Sequence, residues 1–335
     1  MKALVTGATG FLGSHLLSKL VQEGYEVRAL ARKTSKVNHL QQDRVEIVYG
    51  DLKDRETLQH AIKGVNIVYH AGAAMGGSWE DFEESTIRGT QRMLELSLAE
   101  GIKRFVHISS PVVYKVYHLA KHALVSESCP IEHNAERVGP YAYSKVEAER
   151  LVFRFYKKGL PVVVVRPGLL YGPEGRIFSP NIGAFVAKRL FVVIGNSDGL
   201  LPLTYIENAV DGILLAGTQE EAVGQAYNIV DDNKVTRKEY LKKFKAITHA
   251  NFFILPSPFD QLMAGLKLAQ KFKIGPLRKL PVPAPYGLVT KFKSLRFDSS
   301  KAKQELNWQS KVGLEEGLKK TFEWYNSTRS RNGAL

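Results

Sequence analysis

The sequence predicts an α/β fold: a doubly wound parallel sheet, followed by a smaller, irregular C-terminal portion. Three observations point there. Short apolar runs alternate with amphipathic stretches through the first half, a glycine-rich turn follows the first apolar run directly, and the rhythm breaks after Arg166 into segments rich in proline and glycine. Such alternation is what repeated strand and helix units around a parallel sheet require, because each strand is covered on both faces.

Strands are expected at Lys2 to Thr6, Glu26 to Ala31, Val45 to Tyr49, Asn66 to His70, Phe105 to Ser109 and Val162 to Arg166. Helices fill the gaps, and two are long. Trp79 to Glu100 is closed by Gly101 and Pro140 to Lys158 by Gly159, the glycine stops that helix C-termini favour. This divides the chain at 168, into a unit 1–168 and a second unit 169–330, with the chain free to cross back between them. No internal repeat or low-complexity tract is visible.

The 335 residues suffice for a sizeable core, and 44% hydrophobic with 24% charged residues is ordinary for a globular protein. The one cysteine, Cys129, has no internal disulfide partner and reads as an inert thiol. Met1 and Lys2 run straight into a strand, which predicts a cytoplasmic protein, and no stretch reaches the roughly 20 apolar residues of a spanning helix. The net charge of +14 favours acidic ligands, nucleic acid or anionic membrane. No nucleic-acid module accompanies it, so no nucleic-acid partner is expected, nor a metal site.

Immediately after the first strand comes TGATGFLG, with Gly7, Gly10 and Gly13 three residues apart and a helical pattern from Phe11. Such a loop turns tightly, lets backbone approach a pyrophosphate and aims a helix N-terminus at the negative charge. Thr9, Phe11 and Leu12 belong to it. Glycine triplets are common in turns, but the place between strand and helix favours a Rossmann-type dinucleotide site. An NAD-specific site would place an acid about 20 residues further on. Arg32 and Lys33 stand there instead, favouring the extra phosphate of NADP over NAD. Asp51, after the third strand, is a candidate acceptor for the adenine amino group or a helix cap for Lys53 onward.

Tyr141 and Lys145 are four apart in YAYSK, so both project from one helix face. An ammonium near a phenol stabilises the phenolate, which would lower its pKa from about 10 and make Tyr141 a general acid or base. Ser110 ends the strand Phe105 to Ser109 and puts a hydroxyl at the mouth of the sheet, where ligands of open α/β folds bind.

TGATGFLG, GDL at Gly50, HAGA at His70, HISSPVVY, YAYSK, RPGLLYGP from Arg166 and FDSSKAKQELNWQSKVGLEEGL together resemble the extended short-chain dehydrogenases/reductases, over nearly the whole chain. The resemblance implies a doubly wound NAD(P) domain, a C-terminal substrate-binding portion, a small-molecule substrate, and a homodimer formed through the two long helices. It gives Ser110 the substrate-orienting role, Tyr141 proton transfer, and Lys145 the contact with ribose and phenol. It adds Leu52, Ala71, Gly72, Ala73 and Pro167 to the cofactor contacts. Ser110, three before Val113-Tyr114, is preferred over Ser109. Thr86 stands on the substrate side, where the family often has asparagine.

Departures from the family's patterns discriminate among reactions. Dehydratases carry an Asp-Glu pair after the Ser/Thr, where this chain has Pro111 and Val112, neither of which ionises. Epimerases usually have an asparagine and an arginine where Leu169 and Leu201 stand. Leucines beside a diphosphate would leave its charge without partners, so these two positions suggest an apolar ligand, unless Arg176 or Arg189 substitutes. TYIENAVDGILLA, LPSPF and KSLRFDSSKAK resemble the 3β-hydroxysteroid and sterol dehydrogenase branch. The resemblance therefore implies hydride transfer between nicotinamide and an alcohol or ketone on a sterol-like or acyl-derived substrate. The alternative is a nucleotide-sugar 4-epimerase. A non-catalytic dinucleotide sensor would have no use for the complete serine, tyrosine and lysine set.

Between Gln261 and Phe297 lie eight basic residues and no acidic one. Phe259, Leu262, Met263, Leu266 and Phe272 fall near one helical face, with Lys267 and Lys271 off it. The region 259–297 is thus a candidate for peripheral membrane contact, or a helix packed on the core.

Overall fold

A computed structural model of the chain describes residues 1–179, 181–257 and 285–332, with Ala264, Leu268, Lys271 and Phe272. The first half runs β1 (Lys2–Thr6), α1 (Phe11–Gln22), β2 (Glu26–Ala31), β3 (Val45–Tyr49), α2 (Arg55–Ile62), β4 (Ile67–His70), α3 (Trp79–Phe82), α4 (Gly89–Ala99) and β5 (Arg104–Ile108). There follow β6 (Leu124–Val125), α5 (Pro140–Tyr156), β7 (Val162–Pro167), β8 (Leu169–Tyr171), β9 (Ala184–Ala187), β10 (Leu190–Ile194) and β11 (Leu203–Tyr205). The rest comprises α6 (Ile206–Thr218), β12 (Ala226–Ile229), α7 (Arg237–Thr248), β13 (Phe253–Ser257), α8 (Pro285–Phe292), β14 (Arg296–Phe297), α9 (Ser300–Leu306) and α10 (Leu314–Asn332).

Seven strands form one parallel sheet in the order β12-β7-β5-β4-β1-β2-β3. Residues alternate between its two faces. Val163 and Val165 join the core under α1 and α6, while Val162 and Val164 join the one under α2, α4 and α5. Burial on both faces is why these strands read as mainly apolar runs rather than as an alternation. The chain winds outward from β1 through β2 and β3, then crosses to β4 and continues the other way. The direction reverses between β1 and β4, and the crevice beyond their carboxyl ends is where such sheets bind ligands.

The expected strands are present, with the fourth and fifth beginning one residue away from their expected starts. The first long helix carries a π-helical turn, Glu83–Arg88, between α3 and α4. Gly101 and Gly159 follow the two long helices with φ of 64° and 95°. After β7 the chain returns, as β12 pairs with β7 at the sheet edge and α6 covers α1. The last portion is fastened by Trp308, fully buried, whose Nε1 donates to the Asn208 carbonyl of α6 at 2.8 Å. Two small sheets complete it, β11-β8 and β13-β10-β9, beside the β14-β6 pair. No helix among the described residues is long and apolar enough to cross a membrane.

Candidate active site

The glycine loop joins β1 to α1 at the reversal point. Gly7 has φ of 69°, and a Cβ there would meet the Ala71 and Gly72 backbone at 2.9 Å. At Gly13 a Cβ would lie 2.1 Å from the Gly7 carbonyl oxygen, so only glycine lets the helix start this close to the turn. No side chain caps α1 and its first turn holds no acid, which leaves backbone N–H groups and the positive helix end for an anion. Thr9, Phe11 and Leu12 are half-buried around this opening, and Gly10 is exposed.

The facing turn, Ala71 to Ala73, is tied to the same place. The Thr6 hydroxyl accepts from the Gly72 amide at 3.0 Å and bonds the His70 Nδ1 at 2.9 Å, and His70 Nε2 meets Thr90 Oγ1 at 3.0 Å. Burial, helped by Lys145, pushes the His70 pKa down to about 3, so the ring is a neutral connector. Thr86, 1% exposed, is turned by the π-helical segment so that its hydroxyl accepts from the Ala74 amide at 2.9 Å. Arg32 and Lys33 follow β2, both exposed and without an ion pair among the described residues. Asp51 Oδ1 accepts from the Lys53 amide at 3.0 Å. The cap of α2 is Asp54, which accepts from the Glu56 and Thr57 amides, so the capping alternative for Asp51 is corrected: that helix begins at Arg55. Leu52 is half-buried beside it, and Pro167 is buried at the end of β7. A glycine turn packed too closely against the helix start for any side chain, an uncapped helix and two tethered turns fit a dinucleotide.

Ser110, Tyr141 and Lys145 converge beside this crevice. Ser110 is half-buried and caps a short 3-10 turn, accepting from the Val112 amide at 3.4 Å. The Tyr141 pKa is raised by burial, and the Ser110 hydroxyl against the phenol opposes the rise. Lys145, four residues further along the same face of α5, reaches a backbone carbonyl. Its ammonium, 4% exposed, donates to the Ile108 carbonyl oxygen at 2.8 Å. Burial pushes Lys145 itself down to about 8, against the attraction of Glu149.

Beneath lies a network the sequence reading missed. The Ser109 hydroxyl donates to Glu149 at 2.6 Å, which leaves Ser110 as the serine free to face the crevice. Glu149, 2% exposed, pairs with Arg166, 3% exposed, through both carboxylate oxygens. Arg166 donates onward to the Tyr114 hydroxyl at 2.7 Å, and Tyr114 donates to Asn228 at 2.7 Å. The available signal was spacing: Glu149 follows Lys145 by four and Tyr141 by eight, on one face of α5. His107, buried and stacked on His70 with centroids 5.7 Å apart, has no hydrogen-bond partner among the described residues on either nitrogen.

Aromatic rings flank Tyr141 and its neighbour Tyr143. The Phe82 ring stands 6.4 Å from Tyr141 and Trp79 5.6 Å from Tyr143, between centroids. Trp79 is 50% exposed, and Met75, in the preceding turn, 78%. Leu169 is half-buried on β8, whereas Leu201 is 2% exposed and enclosed in the main core with Leu203. Arg176 and Arg189 are both exposed.

The profile of the NAD dependent epimerase/dehydratase family matches residues 3–230. The chain belongs to that family, and is an NAD-dependent oxidoreductase of the extended short-chain type. It is similar to the 2-alkyl-3-oxoalkanoate reductase of Stenotrophomonas maltophilia, 28% identical over 338 residues, covering 96% of this chain and 98% of that one. It is also similar to 3beta-hydroxysteroid-dehydrogenase/decarboxylase isoform 2 of Arabidopsis thaliana, 27% identical over 352 residues, covering 96% of this chain and 62% of that one. A solved structure of Thermotoga maritima UDP-glucose 4-epimerase with UDP-glucose matches with a TM-score of 0.78 at 22% identity, covering 98% of this chain and 99% of that one. At that identity the likeness concerns the fold alone.

Proposed function

We propose that this enzyme reduces a ketone, or oxidises the corresponding alcohol, on a largely apolar sterol-like or acyl-derived molecule. The observation that carries the reading is the aromatic surround of Tyr141, with the buried Phe82 ring against it and the half-exposed Trp79 against the neighbouring Tyr143. The names of two relatives, an oxoalkanoate reductase and a hydroxysteroid dehydrogenase, agree with it.

In this reading the nicotinamide dinucleotide, when bound, supplies or accepts the hydride. Gly7, Thr9, Gly10, Phe11, Leu12 and Gly13 hold its pyrophosphate; Asp51 and Leu52 hold the adenine side. Ala71, Gly72, Ala73 and Pro167 close the crevice. Ser110 orients the substrate oxygen. In reduction Tyr141 gives its hydroxyl proton to that oxygen, and in oxidation it takes the proton back. Lys145 holds positive charge behind the phenol, so that the phenolate left after proton donation is stabilised. Arg32 and Lys33, two unpaired cations after β2, favour NADP. Residues 1–168 serve the cofactor and 169–330 the substrate, with β12 as the crossing back. We place the enzyme in the cytoplasm, as a homodimer through the two long helices.

The test is Tyr141→Phe, which keeps the ring and removes the proton. Turnover of an apolar ketone should vanish while cofactor affinity stays within about twofold, since the ring packing is kept. Near wild-type turnover would remove Tyr141 from the reaction.

A further inference from the structure

The small sheet β13-β10-β9 lies apart from the crevice and has two unlike faces. Its inner face is packed: Phe191 meets Phe178, Phe185 and Phe252 with ring centroids at 5.0, 5.0 and 5.8 Å. The other face follows from register. Leu190 pairs with Phe253 and Ala187, and Val192 with Leu255 and Ala184, so these six side chains stand together. None is polar, and the face is open: Phe253 is 73% exposed and Leu255 50%. Val186, left unpaired where the register shifts, is 63% exposed beside it.

The turn at one edge of this face is cationic. Lys188 and Arg189, in the turn joining β9 to β10, are exposed and make no ion pair among the described residues. The sequence from Gln261 to Phe297 holds eight basic residues and no acid, of which Lys293 and Arg296 donate to the carbonyls of Tyr117 and His122. Of the apolar helical stripe expected there, Phe259, Leu262, Met263 and Leu266 lie outside the described residues. Leu268 and Phe272 are 56% and 60% exposed. A contiguous open apolar face marks an interaction surface. A second copy of this chain would bring the same cations to the contact. A surface of acidic lipid offers hydrocarbon to the apolar side chains and anionic headgroups to the lysines and arginines.

We propose that the outer face of β13-β10-β9, with the Lys188-Arg189 turn, docks the enzyme reversibly on an anionic lipid surface. The inference does not depend on which substrate is turned over.

Sedimentation of the full chain with vesicles tests it, comparing phosphatidylcholine alone with phosphatidylcholine containing one-third phosphatidylglycerol. Binding is expected to the second and to be weakened by salt. K188Q/R189Q should weaken it about thirtyfold, each charge near such a surface being worth about fivefold. F253S/L255S should weaken it too while leaving the fold, followed by circular dichroism, intact. Equal binding to both vesicles, or to neither, overturns the proposal. So does loss of the fold in F253S/L255S, which would mean the chain itself covers this face. Loss of self-association in that variant without any vesicle binding would assign the face to a second copy, and overturns it as well.

Discussion

Glu149→Gln tests the buried network under the active site, and its consequence can be worked from the structure. The substitution keeps volume and leaves an amide oxygen for the Ser109 hydroxyl, so neither a cavity nor an unmet serine follows. It removes the charge paired with Arg166, a guanidinium 3% exposed whose other hydrogen bond among the described residues goes to the Tyr114 hydroxyl. Breaking one side of a buried ion pair costs about 3 to 5 kcal/mol, because the surviving charge stays uncompensated. That is a third or more of the stability of a typical domain. Urea unfolding at neutral pH, fitted with a common slope, gives the difference directly. Replacing both partners, by Glu149→Leu with Arg166→Met, removes both charges and should recover much of the loss. A loss below about 1 kcal/mol for Glu149→Gln, or a double variant no better than the single one, would refute the view that the pair is held by burial.

Two further outcomes follow from the site. Lys145 has its pKa lowered from 10.5 to about 8 in the folded state, so folding disfavours its ammonium; the group's contribution to stability rises as pH goes from about 8 to 10.5. The gain should approach about 3 kcal/mol in the wild type relative to Lys145→Met, and a difference between the two that is flat with pH would contradict the burial of that charge. R32Q/K33Q should weaken NADP binding by about tenfold or more and NAD binding little, since only NADP offers a phosphate there. Calorimetry showing equal losses would leave Asp51 and the glycine loop as the adenosine determinants.

What was legible in the sequence divides along physical lines. The six expected strands, β1 to β5 and β7, are mostly apolar runs between turn residues, and the long helices end at glycines that take positive φ, so local chemistry alone locates them. β12 is short and carries Asn228, whose side chain is satisfied among the described residues by Tyr114, Val125 and Asp298 from distant segments. Helical spacing placed Tyr141 and Lys145 on one face of α5 but not their atoms, and the lysine spends its ammonium on the Ile108 carbonyl. Glu149 shares that face. An acid on a helix reads as solvated until a strand delivers Arg166 to it. Leu201, suggestive as a departure from the epimerase pattern, is enclosed in the core.

The central claim, net hydride transfer on an apolar substrate, is tested most directly by following nicotinamide absorbance with purified enzyme. Long-chain 3-oxo acids and steroid ketones are supplied in turn, each with and without UDP. The account predicts stoichiometric loss of reduced cofactor with at least one of these ketones, absent in Tyr141→Phe and unaffected by UDP. Absorbance unchanged with every apolar ketone, together with tight UDP-sugar binding and cofactor that stays bound through turnover, would contradict it and assign the site to epimerisation.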